Sequence, residues 1–334
     1  MTSNLEPGVL HLIRSGALMD WMALPPIQTV VDRVRNAPNT TDKLDVRNVL
    51  KIPAGEDLVK CDTMTFSDRS TLMLLGNQHP YLAIAAKRLV LDIVNPSFQA
   101  QITRPLGADE ATLLAQIDAP NGSAGTHGRE GVGEVGRNGN PGSPGGQGTD
   151  GGDGATLGLP PLFLFIKEVR FGAAADPNRR YLDINWNGYR GGNGGQGGLG
   201  GNGGRGARGK EGATSAFDCK DGPGRGGRGG DAGRGGAGGD AGSGSEGGYV
   251  FLFAPQSSMF DFATANVEGG PAGTPGLGGR SGRAGSGGQG GPRNGWCGTG
   301  PDGADGVQPT PAPRGAVGSP GARGRQFVFS RDIF

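Results

Sequence analysis

The sequence predicts a mostly β and polyglycine II protein. A short-strand α+β domain comes first, followed by a glycine-rich bundle of left-handed polyproline-II-type helices with small β-sheets. Three observations carry this expectation. Of the 334 residues, 71 are Gly, about three times the usual share of roughly 7%. Those glycines keep a period of three over long stretches. The stretches are bracketed three times by similar apolar strands. The expected division is a short helical attachment segment over 1–45, a short-strand β domain over 46–111, and the bundle over 112–334.

At the N-terminus, Val9, Leu10, Ile13, Ala17, Leu18, Trp21 and Met22 recur at helical spacing. Pro25-Pro26 is expected to stop that helix. Ile27, Val30, Val31 and Val34 then suggest a second, short amphipathic helix. Such a pair either packs on its own domain or docks to a protein partner. In the docking reading, Leu10, Ile13, Leu18 and Trp21 make the contact.

From residue 46 the pattern changes to short strands at steps of roughly eight to ten residues. They are Val49–Ile52, Leu58–Lys60, Met64–Phe66, Leu72–Leu75, Leu82–Ala85, Leu89–Ile93 and Gln101–Thr103. Closely spaced strands suit a sandwich or a small solenoid, and both readings stay open.

The glycine register begins with Gly122, Gly125, Gly128 and Gly131, slips at Gly133, and continues to Gly154. It resumes over Gly188–Gly212, Gly224–Gly242 and Gly270–Gly291, and keeps phase to Gly324 across two inserts. A flexible linker needs no register. A period of three reserves one face of a three-residue turn for Gly, as in collagen or in polyglycine II. Triplets such as Gly191-Gly192-Asn193 and Gly194-Gly195-Gln196 carry a second glycine. That favours the single-chain bundle over a collagen-like trimer, because it frees a second face for a neighbouring backbone. Disorder is the third alternative.

Each glycine run is followed by a Phe-rich strand: Leu162–Ile166, Tyr249–Phe253 and Phe327–Phe329. Each is preceded by an alternating segment: Leu113–Asp118, Tyr181–Asn185 and Met259–Ala263. The unit strand, glycine run, strand therefore occurs three times and is expected to stack. The phase slip at Gly131–Gly133 and the inserts at 213–223, 292–299 and 307–314 are candidate turns.

The charge is nearly balanced, with 32 Lys plus Arg against 31 Asp plus Glu. No 18-residue apolar run spans a membrane. The N-terminus lacks a basic n-region, so a virion or cytoplasmic location is expected, with non-classical export an alternative. His11, His79 and His127 lie in three different contexts, and no catalytic group of side chains stands out. Neither an enzyme, a cofactor nor a metal site is expected. Asp150, Asp153, Asp231 and Asp240 read as solvated charges, and Gly151-Gly152-Asp153-Gly154 is an isolated fragment of a calcium repeat. The Arg225–Gly230 stretch is similar to an RGG box but interleaves no aromatic, so nucleic acid is not the expected partner. Cys61, Cys219 and Cys297 are too widely spaced for a zinc or redox motif. Cys219 and Cys297 can pair or remain thiols.

The runs Gly191–Gly209 and Gly224–Gly242, leading into Tyr249–Phe253, locally resemble the glycine-rich domain of Obg GTPases. No phosphate-binding G-x-x-x-x-G-K-S/T loop occurs, so GTPase activity is not implied. The plan of residues 122–334 resembles the tail-fibre-tip adhesin of T-even-type bacteriophages. That resemblance implies an N-terminal attachment domain and a glycine-rich scaffold whose intervening loops bind a cell-surface receptor. The loop residues so assigned are Phe217, Lys220, Arg293, Asn294 and Trp296. The expected function is non-catalytic recognition, by display of these loops to a cell-surface or protein partner. A structural subunit of a larger assembly or filament, with homo-oligomers, is the alternative. Ice binding and RNA binding are further ones.

Overall fold

The structure, a computed structural model, describes residues 25–95, 97–135, 137–172 and 179–334. The expected first helix, with Leu10, Ile13, Leu18 and Trp21, lies outside the described residues.

In chain order the elements are α1 (Pro25–Asn36), β1 (Thr41–Val46), β2 (Val49–Ile52), β3 (Leu58–Ser67), β4 (Thr71–Leu74), β5 (Leu82–Asp92), β6 (Ala100–Thr103) and α2 (Ala108–Ala115). There follow β7 (Glu134–Val135), β8 (Asn138–Gly139), β9 (Leu162–Phe171), β10 (Leu182–Asn185), β11 (Ala213–Thr214), β12 (Cys219–Asp221), β13 (Tyr249–Ala254), β14 (Ala263–Asn266) and β15 (Arg325–Ser330). Two parallel sheets organise them. One has six strands in the order β1-β3-β5-β9-β13-β15, the other five in the order β14-β10-β6-β4-β2. Within these two sheets the chain alternates from one to the other, so their successive strands pair with the next coil and not with each other.

This overturns the expected fold class. The molecule is an α/β-type fold built on two multi-stranded parallel sheets with few helices, not a polyglycine II bundle with small sheets attached. The apolar strands bracketing the glycine runs enter the same two sheets as the N-terminal strands. In the register, Leu82 pairs with Leu162 and Ala100 with Leu182. The sandwich-or-solenoid ambiguity resolves as a two-sheet parallel coil.

Burial explains why these strands pair this way. Met64, Phe66, Ile84, Leu164, Ile184, Trp186 and Leu252 fill the space between the sheets, each almost wholly buried. A parallel sheet covered on both faces reads as near-continuous apolar runs, and β13 is buried at every position. On the outer face of the six-stranded sheet, Phe163 stacks on Phe251 at 4.7 Å and Phe251 on Phe327 at 5.1 Å. Phe165, Phe253 and Phe329 form a parallel ladder with steps of 4.6 Å. Helix α1 lays Ile27, Val30, Val31 and Val34 on this face. Pro25-Pro26 open α1, where a missing N–H costs no intrahelical bond. The buried Lys60 ammonium donates to the Val34 and Ala37 carbonyls at 2.7 and 2.6 Å, closing the helix C-terminus. Burial lowers the Lys60 pKa from its ordinary value.

Six sequence-based strands change. Leu58–Lys60 and Met64–Phe66 are one strand, as are Leu82–Ala85 and most of Leu89–Ile93. Leu113–Asp118 is not a strand: its first residues belong to α2. Asp109 and Glu110 occupy the first turn of α2, where they favour the helix dipole, and Ala and Leu supply propensity. In Met259–Ala263 the first residues form a 3-10 turn, Ser257–Phe260, and β14 starts at Ala263.

Parallel neighbours require a crossover. Between β2 and β3, and between β4 and β5, a short loop returns the chain. At the equivalent position after β6, β10 and β14, the chain makes a long glycine-rich excursion out and back. The outgoing passes are a (119–131), c (188–210) and e (270–291). The returning passes are b (139–155), d (224–247) and f (300–324). Gly122, Gly125 and Gly128 of pass a donate to Gln196, Leu199 and Asn202 of pass c, in parallel register. Gly194, Gly197 and Gly200 of c donate to Thr274, Leu277 and Arg280 of e. Gly145, Gly148 and Gly151 of b donate to Asp231, Arg234 and Ala237 of d, and Gly226 and Gly229 of d to Pro301 and Ala304 of f. A second set is antiparallel and joins the rows, as from Gly201 to Gly146 and from Gly233 to Gly201. The six passes thus form an arm of two layers, a-c-e and b-d-f.

At the root of the arm, Arg104 is buried with its guanidinium 4.1 Å from the Tyr189 ring and paired to Glu110 at 2.8 Å. Asp118 binds Arg190 through both carboxylate oxygens, at 2.7 and 2.8 Å. That pair, helped by the Asn193 N–H, holds the Asp118 carboxyl below its ordinary pKa.

Candidate functional site

The far end of the arm gathers three connections: residues 132–138 between passes a and b, 211–223 between c and d, and 292–299 between e and f. In the first, β7 and β8 pair antiparallel, and Gly133, just before β7, has φ 77°. That backbone favours glycine. In the second, β11 and β12 pair antiparallel with a register shift, and the Cys219 N–H donates to the Asp218 carboxylate at 2.7 Å. In the third, Asn294 and Cys297 form a single antiparallel bridge around Gly295, at φ 48°.

The three loops are tied to one another. Cys219 and Cys297 form a disulfide, settling the pairing that sequence left open. The Asn294 side-chain amide donates to the Gly212 carbonyl at 2.9 Å. The Trp296 indole N–H reaches the Ala216 carbonyl at 3.4 Å. From the first loop, Arg137 pairs with Asp221 and donates to the Gly222 carbonyl at 3.3 Å.

Within this frame large apolar side chains face solvent. Phe217 is 89% exposed and Trp296 68%, with Val132 at 82% and Val135 at 71% from the first loop. Exposing an aromatic forgoes roughly 1.5–3 kcal/mol of burial. Aromatic anchors on an ordered surface are a common feature of contact sites.

The structure therefore brings Phe217, Lys220, Arg293, Asn294 and Trp296 to one end of the molecule. Lys220 and Arg293 are exposed. Asn294 is half-buried and holds the loop through its amide. Sequence reasoning did not assign Val132, Val135 or Arg137, though the phase slip at Gly131–Gly133 marks their turn. The insert 307–314 does not join them. It lies along pass f, where Val307 donates to Asp231 at 2.7 Å.

Asp150, Asp153, Asp231 and Asp240 are not merely solvated charges. Each accepts a backbone N–H from the adjacent pass: Ala237, Asp240, Val307 and Ala316, at 2.6–2.8 Å. Asn193, Gln196 and Asn202 do the same for Thr274, Leu277 and Arg283. Carbonyls of the adjacent passes take many of the remaining N–H groups, so these side chains satisfy donors that would otherwise face outward. This also accounts for the isolated calcium-like fragment at Asp153.

No protein-family model, curated protein or solved structure matches this chain. Among the described residues, no helix is long and apolar enough to cross a membrane.

Proposed function

We propose that this chain is a non-catalytic recognition protein. Its two-sheet body carries the glycine-rich arm, and the arm presents the three tied loops to a protein or cell-surface partner. One observation carries the reading: Phe217 and Trp296 stand exposed on loops joined by the Cys219–Cys297 bridge. Ordering the loops in advance reduces the entropy lost on binding. The bridge suits an oxidising environment. The resemblance in plan to phage tail adhesins supports the same reading.

The test uses fluorescently labelled protein on intact bacterial cells or their envelope fractions, the targets that the adhesin resemblance implies. The double variant F217A/W296A is expected to lose about tenfold or more in retention, since each hot-spot aromatic contributes roughly 2 kcal/mol or more. Its melting temperature should stay close to that of the parent, because neither side chain is buried and the substitution removes only the long, exposed bond from Trp296 to Ala216. Equal retention of variant and parent would sink the proposal.

A further inference from the structure

The two broad faces of the arm differ in charge. On the b-d-f face, Arg225, Arg228 and Arg234 alternate with Asp150, Asp153, Asp231 and Asp240, and Arg228 pairs with Asp231 at 2.6 Å. On the a-c-e face, Arg205 and Arg208 of pass c and Arg280 and Arg283 of pass e are all exposed. None of these four makes an ion pair among the described residues. Glu130 on pass a lies in the same transverse row as Arg205, and at the edge Asp305 and Asp302 of pass f accept the Gly287 and Gly290 N–H groups of pass e.

The register sets how these arginines are spaced. Passes c and e run in parallel with a constant offset of 81 residues. Arg280 therefore shares a row with Leu199, Arg283 with Asn202, Arg205 with Ser286 and Arg208 with Gln289. Four successive rows carry one guanidinium each, stepping from pass e to pass c towards the tip. An extended backbone repeating every three residues rises about 3.1 Å per residue, which places the rows about 9 Å apart. Asn202 lies within this stretch. Its side-chain oxygen is occupied by the Arg283 N–H at 2.8 Å, which turns its NH2 group into an outward donor.

We propose that this face is a docking surface for an anionic polysaccharide. The partner must be negative, elongated and regularly charged, because the cations make no ion pair among the described residues and follow one another row by row along the arm. A polysaccharide with one acidic group per short repeat meets all three demands. Its hydroxyls also suit the Asn202 amide donor beside Arg283. Nucleic acid fits less well. Single strands rely on stacking against aromatic side chains, and the outward positions of a, c and e hold no Phe, Tyr or Trp. A duplex is read by a helix or β-ribbon that enters a groove, and passes a, c and e carry neither.

The experiment measures binding of the full chain to heparin, to alginate and to oligo(dT) over a range of salt. The parent is expected to bind heparin and alginate more tightly than oligo(dT), with affinity falling steeply as salt rises. The variant R205Q/R208Q/R280Q/R283Q should lose about tenfold or more and show a shallower salt slope. The opposite-face variant R225Q/R234Q should bind as the parent does. All six side chains are exposed, so folding is checked by an unchanged melting temperature. Three results would each overturn the proposal: no binding to either polysaccharide, equal loss in both variants, or tighter binding to oligo(dT).

Discussion

A single Cβ decides whether two passes of the arm can meet. At Gly201 an added Cβ would fall inside the contact radius of the Thr126 carbonyl oxygen, and at Gly233 inside that of Gly146. Neither residue has a left-handed φ. These glycines are present for their missing side chain, not for conformational freedom. Gly201→Ala should force the backbones apart and destabilise the protein by about 1–3 kcal/mol or more. Gly55→Ala meets open space and should be neutral, or stabilising by about 0.4–1 kcal/mol through the unfolded chain. Denaturant midpoints for the two variants check this, and a G201A protein as stable as its parent would refute the close-contact account. The three-residue register was legible because glycine is irreplaceable there. The work of Asp150 or Asn202 was not legible, because a carboxylate or amide facing solvent looks the same in sequence whether or not it accepts a backbone N–H.

At the level of elements, the Phe-rich strands were visible and their partners were not. Alternation in Tyr249–Phe253 tells which side chains share a face. It does not tell which strand lies alongside. Pairing across 80 or so residues follows from the repeat of sheet strand, sheet strand and excursion, and the short N-terminal returns hide that repeat. Hence β5 and β9 read as belonging to separate units, though they pair along most of their length. Leu113–Asp118 misled for a different reason: Leu113, Leu114 and Ile117 in so short a window do not fix a period, and the acidic first turn of α2 lies upstream of them. The tip, by contrast, was largely marked by its inserts, with the first loop signalled only as a slip in phase. The observed pairing makes Phe253 the middle of a ladder, with rings 4.6 Å away on either side and the residue 1% exposed. Phe253→Ala should cost about 3–5 kcal/mol. Circular dichroism melts would show it, and a loss below about 1 kcal/mol would count against this ladder as a buried element.

Across the whole molecule, the three cysteines occupy two separate regimes. Cys61 lies in the core between the sheets, fully buried, and burial pushes its thiol up to about 12. Thiolate is the attacking species in exchange, so Cys61 stays out of the chemistry of the tip. Cys219 and Cys297 join loops separated by 78 residues of chain. Those loops are otherwise held by few hydrogen bonds, while the passes beneath them are hydrogen-bonded along their length. Loss of the bridge should therefore be felt locally. In C219S/C297S, amide exchange should quicken over 211–223 and 292–299 and remain slow in passes c and e. The global loss should stay at or below the roughly 2–4 kcal/mol typical of a bridge, since the arm keeps its own bonds. Thiol labelling in denaturant gives the independent check: one reactive cysteine before reduction and three after it. Three before reduction would show that the tip is not bridged. Exchange that quickened equally along passes c and e would show that the arm depends on the bridge instead of supporting it.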